Sequence, residues 1–426
     1  MPPGNTFQHA PYLRADPGER ARYVEVVPGA PPGSAAWLDA TAGHGRTLAA
    51  ARVRLLLLLH GTFLGTDLFG VRRLDEAGGL KRGYSRGIPG VDALLALMRE
   101  DTNGLPRPAS GGTPPLADEE EPKAELDRQA GDAGNFPARI VESLTIGLNR
   151  DLRGAGPLAV VRRLWPCEHH HLGRALEAVR LIVRLRALIA AHRLEQGDRV
   201  LVLAHGHAGQ VLALLSNLLA AEESPGRTHV FKTLAAYAQE ADAPPGLAAQ
   251  VEEVRTALSA GPPFGGVALD VVTLGTPVRY GWDPAPLGRL LHIINHRPMR
   301  LDGKRWLAKV DLPQITMEMP MVLGGDYVQQ LAVAGSDAVP PTPAAQAANK
   351  ALWELLEPYD GFERWLECVR RGVRCPQDGL CLLVDYKDTV LPPAAKAADV
   401  VYGHAAYTRA NTLLFTLDAI VGALYP

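Results

Sequence analysis

Runs of apolar residues alternate along the chain with stretches in which apolar positions recur every three or four residues. Two runs, Leu55 to Leu59 and Val200 to Ala204, are continuous, which is typical of strands buried on both faces of a parallel sheet. An apolar stripe that begins at Leu172 predicts an amphipathic helix ending before Gly197, and a second helix is predicted over Gln210 to Ala220. The order strand, helix, strand, tight turn, helix predicts an α/β fold with a mostly parallel sheet flanked by helices.

Further segments with strand-like composition extend this pattern along the rest of the chain. They cover residues 23–27, 158–161, 269–274, 290–294, 327–334 and 380–384. The tail from 405 to 424 predicts a closing amphipathic helix, and no internal repeat is present. We therefore expect an N-terminal extension at 1–50 followed by one α/β domain at 51–426.

Two segments are predicted to be insertions in this domain. Residues 104–137 are rich in Pro, Gly and acidic residues, which predicts a mobile solvated loop or a lid and not a packed element. Residues 284–326 form the second predicted insertion. Such loop or cap insertions shape the pocket, so the chain length of a substrate cannot be predicted from the sequence.

Composition and charge exclude several classes of function. Hydrophobic residues make up 47% of the chain and charged residues 21%, as in an ordinary globular protein. Lys and Arg total 44 against 46 Asp and Glu, so no basic excess indicates a nucleic-acid partner. The longest aliphatic run is far shorter than the ~20 residues that cross a bilayer, and no signal peptide is recognisable. We expect a cytoplasmic protein without a transmembrane segment, with export that lacks a cleaved signal and the oligomeric state both left open.

Three short motifs lie at the ends of predicted elements. The motif His60-Gly61-Thr62-Phe63 follows the first buried strand, a strand-to-helix turn spans Ala204 to Ala208, and His404 lies in a Gly-preceded loop before the last helix. Their order resembles the α/β-hydrolase family, in particular its lipase-like and esterase-like members, over about residues 52–426. Val272 to Pro277 also resembles the strand that follows the elbow in lipases. The resemblance implies a nucleophile on the elbow, an acid and a late histidine, with no metal and no organic cofactor.

The sequence departs from that family at the nucleophile position. The elbow aligns with Gly206 where the family has its nucleophile, and glycine has no hydroxyl or thiol with which to attack a carbonyl. Glycine is compatible with the unusual dihedral angles of such a turn. We favour an inactive form in which a serine has been replaced by Gly206, as in an engineered nucleophile variant, over a natural pseudo-hydrolase. The histidine, the acid candidates and the His-Gly loop are all still present.

The late histidine and its acid partner complete the implied catalytic group. His404 matches the general base of the family, and the alternative is a helix-capping or surface histidine. A carboxylate is needed to fix the tautomer of the imidazole. Asp388 resembles the acid loop of many hydrolases, Asp337 lies in a similar turn after a predicted strand, and Asp385 sits nearer a strand itself. Asp388 ranks first with little separation from Asp337, and each has the alternative of an ordinary turn aspartate.

The resemblance also implies donors for an oxyanion. The backbone amides of Thr62 or Phe63 and of His207 match the family's oxyanion hole. His60, Glu168 and His169 are expected to line the pocket, because each follows a predicted strand and ligands bind at the carboxyl ends of strands in α/β sheets.

The segment from Cys167 to His171 has a second interpretation. It holds a carboxylate and several imidazoles, which are good zinc ligands, but consecutive residues on an extended segment point to opposite sides. Only His169 and His171 are placed to converge, so lining of the pocket or structural hydrogen bonding is favoured over metal binding.

The sequence therefore predicts a serine-type carboxylic ester hydrolase acting on a small-molecule or lipid ester, inactive or nearly so because of Gly206. One alternative is a natural pseudo-hydrolase that binds a ligand or a partner. The other is a metal-dependent hydrolase that uses Glu168 and the neighbouring histidines.

Overall fold

The computed structural model describes residues 9, 21–27, 29–61, 120–152, 156–168, 170–221, 224–296, 325–326, 328–329, 340, 342–356, 375–386 and 403–426. In these parts of the chain, helices cover both faces of one sheet. The α/β class predicted from the sequence is therefore confirmed.

The sheet consists of seven strands in the order β1-β7-β6-β5-β4-β2-β3. The strands are β1 (Ala21–Glu25), β2 (Val53–Leu59), β3 (Ala159–Arg163), β4 (Arg199–His205), β5 (Ala268–Leu274), β6 (Arg289–Asn295) and β7 (Leu380–Asp385). Every neighbouring pair is parallel. The carboxyl ends of all seven strands therefore meet at one edge, which is where α/β sheets bind ligands.

The described helices divide between the two faces. They are α1 (Ala35–Ala50), α2 (Glu120–Ala130), α3 (Ala138–Asn149), α4 (His171–Ala191), α5 (Ala208–Leu218), α6 (Pro225–Tyr237), α7 (Leu247–Ser259), α8 (Pro343–Leu356) and α9 (Leu413–Leu424). One core contains the apolar residues of α4 to α8, and the core on the opposite face contains those of α1, α3 and α9.

Strand β2 shows why a continuous apolar run is required at the centre of this sheet. Leu55, Leu57 and Leu59 belong to one core, whereas Leu56 and Leu58 belong to the core on the opposite face. Successive side chains of a strand point to opposite faces, so a strand covered by helices on both sides needs apolar residues at every position. The same alternation places Val200 and Val202 of β4 in the first core and its Leu201 and Leu203 in the second.

The structure corrects the N-terminal boundary. Strand β1 pairs with β7, and Trp37 of α1 is fully buried in the core shared with β2. Residues 21–50 are therefore part of the α/β unit and not a separate extension. Helix α1 was not predicted because its sequence is mostly Ala, Gly and Thr, which gives weak hydrophobic periodicity.

The predicted insertions and some predicted elements also need correction. Residues 120–130 of the first insertion form α2, and Leu126 and Phe136 are buried, so this part is packed. The range predicted for the second insertion contains β6, so residues 289–295 belong to the sheet. Val328 and Gln329 are helical, so the strand predicted over 327–334 was wrong at those positions. The closing helix begins only at Leu413, because most of residues 405–412 form turns.

No helix within the described ranges combines the length and the apolar character that a membrane crossing needs.

A buried ion pair secures the edge of the sheet opposite the carboxyl ends. Asp270 of β5 is fully buried and accepts hydrogen bonds from Arg199 Nε at 2.7 Å and Nη2 at 2.6 Å. The Tyr425 hydroxyl donates to Asp270 Oδ2 at 2.6 Å, and the Arg289 guanidinium lies over the Tyr425 ring. Burial and the Asp270 charge raise the pKa of Tyr425, which keeps its hydroxyl protonated as a donor. The last residues of the chain are thus fixed to the central strands.

We predict that Tyr425→Phe lowers the free energy of unfolding by about 1–3 kcal/mol, because it removes one donor to a buried carboxylate and leaves the ring packing intact. Urea unfolding followed by circular dichroism measures this change. An unchanged midpoint would show that this hydroxyl does not stabilise the fold.

Candidate active site

Gly206 forms the tight turn between β4 and α5. Its φ is +55°, in the left-handed region that favours glycine. The Gly206 N–H donates to Leu274 O at 2.9 Å, and its carbonyl accepts from the Thr276 hydroxyl at 2.8 Å. These bonds fix the turn to the segment that follows β5. The turn therefore has the strand-to-helix form of a nucleophile elbow, with the first turn of α5 behind it.

His404 lies directly against this turn. A Cβ atom built on Gly206 would stand 2.7 Å from His404 Nε2 and 3.6 Å from Gly61 Cα. The structure thus brings together three positions that the sequence assigned to one site, although they lie far apart along the chain. The distance to Nε2 is shorter than ordinary packing, so any side chain at position 206 requires the imidazole to move back.

The acid partner of His404 is Asp326. His404 Nδ1 lies 2.8 Å from Asp326 Oδ2, and the Asp326 carboxylate is fully buried. Tyr407 donates its hydroxyl to the same oxygen at 2.8 Å, while the Gln329 N–H donates to Oδ1 at 2.8 Å. Burial, followed by the Asp326 charge, raises the pKa of Tyr407, so this phenol stays a donor. A carboxylate with these donors places the His404 proton on Nδ1 and leaves a lone pair on Nε2.

Asp326 was not among the acids predicted from the sequence. It follows a long segment after β6 and returns to the end of that strand, where its N–H donates to Asn295 O at 3.0 Å. The only signal in the sequence is the family's chain order of nucleophile, acid and histidine, which restricts the acid to the region before His404. The acid's place within that region depends on where the segment returns to the sheet, and no local motif encodes this return.

The three predicted acids have different outcomes. Asp385 ends β7 and accepts a hydrogen bond from the Tyr23 hydroxyl at 3.3 Å, and the structure does not pair it with His404. Asp337 and Asp388 lie outside the described residues, as do Thr62, Phe63 and His169.

His205 holds the backbone of the His404 loop. Its Nε2 donates to His404 O at 2.8 Å, and the two imidazole rings lie tilted at 48° to each other with their centroids 4.3 Å apart. Burial, followed by the electrostatic effect of the adjacent His404, lowers the pKa of His205 well below its ordinary value, so the ring is a neutral donor through Nε2. His205 therefore positions the loop that carries His404 over the elbow.

Residues 132–134 connect Gly61, which follows β2, to the segment after His404. The Gly61 N–H donates to Gly134 O at 3.0 Å, and the Gly134 N–H donates to the Thr408 hydroxyl at 2.9 Å. Asp132 accepts from Arg409 Nη1 at 2.6 Å. The Gly61 amide is therefore already bonded within the chain and is not available as a donor to a ligand.

His60 is buried beside this loop but is not placed to activate a nucleophile. Its Nε2 accepts from the Trp165 N–H at 3.1 Å, which puts the ring proton on Nδ1. Nδ1 faces Cys167 Sγ at 3.8 Å, so His60 donates to this sulfur and cannot deprotonate it. Burial, followed by Glu177, raises the pKa of the Cys167 thiol. This Cys–His pair is therefore structural.

The Glu168 segment is organised around hydrogen bonds. His170 caps α4 by accepting the Gly173 N–H on Nδ1 at 2.8 Å, and Glu168 Oε2 lies 3.6 Å from His170 Nε2. His171 Nδ1 is 2.8 Å from the Tyr280 hydroxyl. Within the described residues no group of three or more His, Cys, Asp or Glu side chains is arranged to hold a metal ion.

His207 lies between Gly206 and α5, so its amide belongs to the first turn of that helix. Its side chain is buried, and burial, followed by Arg174 and His404, lowers the pKa of this imidazole. His207 is therefore a neutral, buried side chain next to the elbow.

Comparisons with known proteins give no match: no family model, curated protein or solved structure is significantly similar to this chain.

We predict that the fold loses stability as the pH falls below about 6.5, the ordinary histidine pKa. Burial lowers the pKa values of His171, His205 and His207 in the folded chain, so the unfolded chain binds more protons below this pH. Each such group reduces the free energy of unfolding by up to about 1.4 kcal/mol per pH unit until its folded pKa is reached.

Urea midpoints measured between pH 7.5 and 5 test this prediction. His205→Gln keeps a side-chain donor and should make the urea midpoint depend less steeply on pH. The matched surface variant His192→Gln should show the same pH dependence as the unmodified chain. Equal slopes in all three proteins would contradict the assignment of His205 to the acid sensitivity.

Proposed function

We propose that this chain carries the active-site framework of an α/β-hydrolase of the lipase or esterase type, with Gly206 at the nucleophile position. The observation that supports this most is that Gly206, His404 and Asp326 lie next to one another, in that order, at the carboxyl edge of the sheet. The glycine occupies the elbow, Nε2 of the histidine faces it, and the buried carboxylate orients the imidazole from behind. This is the arrangement of a serine, histidine and acid triad that lacks its hydroxyl.

The order of these residues along the chain supports the same proposal. Nucleophile position, acid and histidine follow one another as Gly206, Asp326 and His404, which is the order in α/β-hydrolases and differs from other triad enzymes. The elbow joins a central parallel strand to a helix, as in that family. The substrate class that fits is a carboxylic ester, from a small molecule or a lipid.

The geometry supports the following roles in catalysis. With a hydroxyl at position 206, His404 Nε2 would take its proton as the hydroxyl oxygen attacks the ester carbonyl. Asp326 would stabilise the imidazolium that forms, through the bond to Nδ1. The His207 amide at the start of α5 and an amide of the loop after Gly61 would donate to the oxyanion. Water would then release the acyl group.

Glycine at position 206 removes the first of these steps. The chain binds an ester at this site without a serine-type acyl transfer. The retained acid and histidine favour a replaced serine as the origin of the site.

The close approach of Nε2 to the Gly206 position favours a second candidate function. In a natural pseudo-hydrolase, the pocket would hold an ester or its acid product as a ligand, and the imidazole would occupy the space of the missing side chain.

We predict that Gly206→Ser gains hydrolysis of p-nitrophenyl esters by at least ~10²-fold, the lower range of general-base catalysis. Short and long acyl chains are compared by release of p-nitrophenolate. Gly206→Ala is the matched control, because it adds the same Cβ without a hydroxyl, and it should gain nothing.

The double variant Gly206→Ser with His404→Ala should lose the gained activity by ~10²–10⁴-fold. A folded Gly206→Ser chain that hydrolyses no ester would refute the hydrolase proposal and favour the ligand-binding alternative.

A further inference from the structure

The absence of a side chain at position 206 changes which atom faces a bound carbonyl. A serine oxygen stands one bond beyond Cβ and lies about 2.6–3.2 Å from the base that activates it. Here the Cβ position itself is only 2.7 Å from His404 Nε2. The imidazole nitrogen therefore reaches into the region that a serine side chain would fill.

The tautomer of His404 suits a nucleophile. Nδ1 holds the proton in its bond to Asp326, so Nε2 presents its lone pair. His404 is only 4% exposed, and Nε2 has no hydrogen-bond partner among the described residues. A buried and oriented imidazole nitrogen retains its nucleophilicity when, as here within the described ranges, no donor occupies its lone pair.

We infer that in the chain as it exists, with Gly206, His404 Nε2 is itself the nucleophile toward activated carboxylic esters. This inference rests on the proposed function, since it requires that an ester carbonyl binds at the elbow. Histidine is among the side chains that form covalent intermediates in enzymes.

The reaction balances without any further reagent than water. The Nε2 lone pair forms a bond to the carbonyl carbon, and the carbonyl π electrons move onto oxygen. Collapse of this oxyanion breaks the bond to the leaving oxygen, which departs with its electron pair. The Nε2-acyl imidazolium keeps its Nδ1 proton against Asp326. Water then adds to the acyl carbon and gives up a proton to the departed oxyanion or to solvent. The bond from the acyl carbon to Nε2 breaks with its electron pair returning to Nε2, so the carboxylic acid leaves and the neutral imidazole is regenerated.

The same geometry restricts the substrate class. In a serine enzyme the imidazolium donates a proton to the departing oxygen, whereas here Nε2 is bonded to the acyl group and has no proton to give. Only esters whose leaving group departs as a stable anion, such as aryl esters, are therefore substrates. Alkyl esters should bind without reacting.

Rapid mixing of the unmodified chain with p-nitrophenyl acetate tests this inference. We expect a stoichiometric burst of p-nitrophenolate followed by slower turnover. A parallel reaction with p-nitrophenyl N,N-dimethylcarbamate, whose carbamoyl-imidazole product hydrolyses slowly, locates the adduct by peptide mass spectrometry. The adduct should be on His404.

Three variants separate this site from nonspecific acylation. His404→Gln should abolish both the burst and the adduct, while His192→Gln, which removes an exposed histidine, should leave them unchanged. Asp326→Asn should slow the burst by ~10²-fold or more, because it removes the charge that stabilises the acylimidazolium. Urea midpoints show that each variant is folded, and if His404→Gln does not fold, the adduct on the unmodified chain decides alone.

The outcomes also separate this inference from the proposed function. Adducts spread over exposed side chains would overturn the inference. Hydrolysis that depends on His404 but leaves no adduct would also overturn it, because His404 would then act as a base on water. If Gly206→Ser hydrolyses esters while the unmodified chain forms no adduct, the inference fails and the proposed function stands. If neither reacts, both fail.

Discussion

The candidate site depends on one buried carboxylate. Asp326 accepts hydrogen bonds from His404, from the Tyr407 hydroxyl and from the Gln329 amide, and its own amide is bonded to Asn295 at the end of β6. A fully buried carboxylate without donors would be costly, so these bonds determine where the surrounding loops can lie. Because the carboxylate fixes the proton on His404 Nδ1, it also fixes the chemistry of Nε2. The loops of the site are thereby attached to the end of a rigid strand.

The packed sheet supplies the second constraint. Its central strands are apolar on both faces and parallel, so their carboxyl ends, and the turns that follow them, must lie at one edge. Gly206 forms the turn after β4 at a positive φ, and hydrogen bonds of His205 and Thr276 attach that turn to its neighbours. The site therefore results from how the sheet is built, independently of whether it turns over a substrate.

The sequence predicts the elements that carry strong hydrophobic patterns, and it fails where the information lies in tertiary contacts. Strands β2 and β4 and the elbow are recognisable because buried parallel strands need unbroken apolar runs. Helix α1 is hard to predict because most of its residues are small. Helix α2 is hard to predict because it is acidic and has few apolar residues to form a pattern. His404 could be predicted from its place before the last helix. Asp326 could not be predicted, because its position beside His404 depends on where a long segment returns to the end of β6.

The identity of the elbow as a nucleophile position is the central claim, and an alkyl fluorophosphonate tests it most directly. This reagent phosphonylates hydroxyls that a neighbouring histidine activates. The Gly206→Ser chain should acquire a single adduct at position 206, which is lost when His404→Ala is added, and the unmodified chain should acquire none at that position. A folded Gly206→Ser chain that remains unlabelled at position 206 would contradict the account.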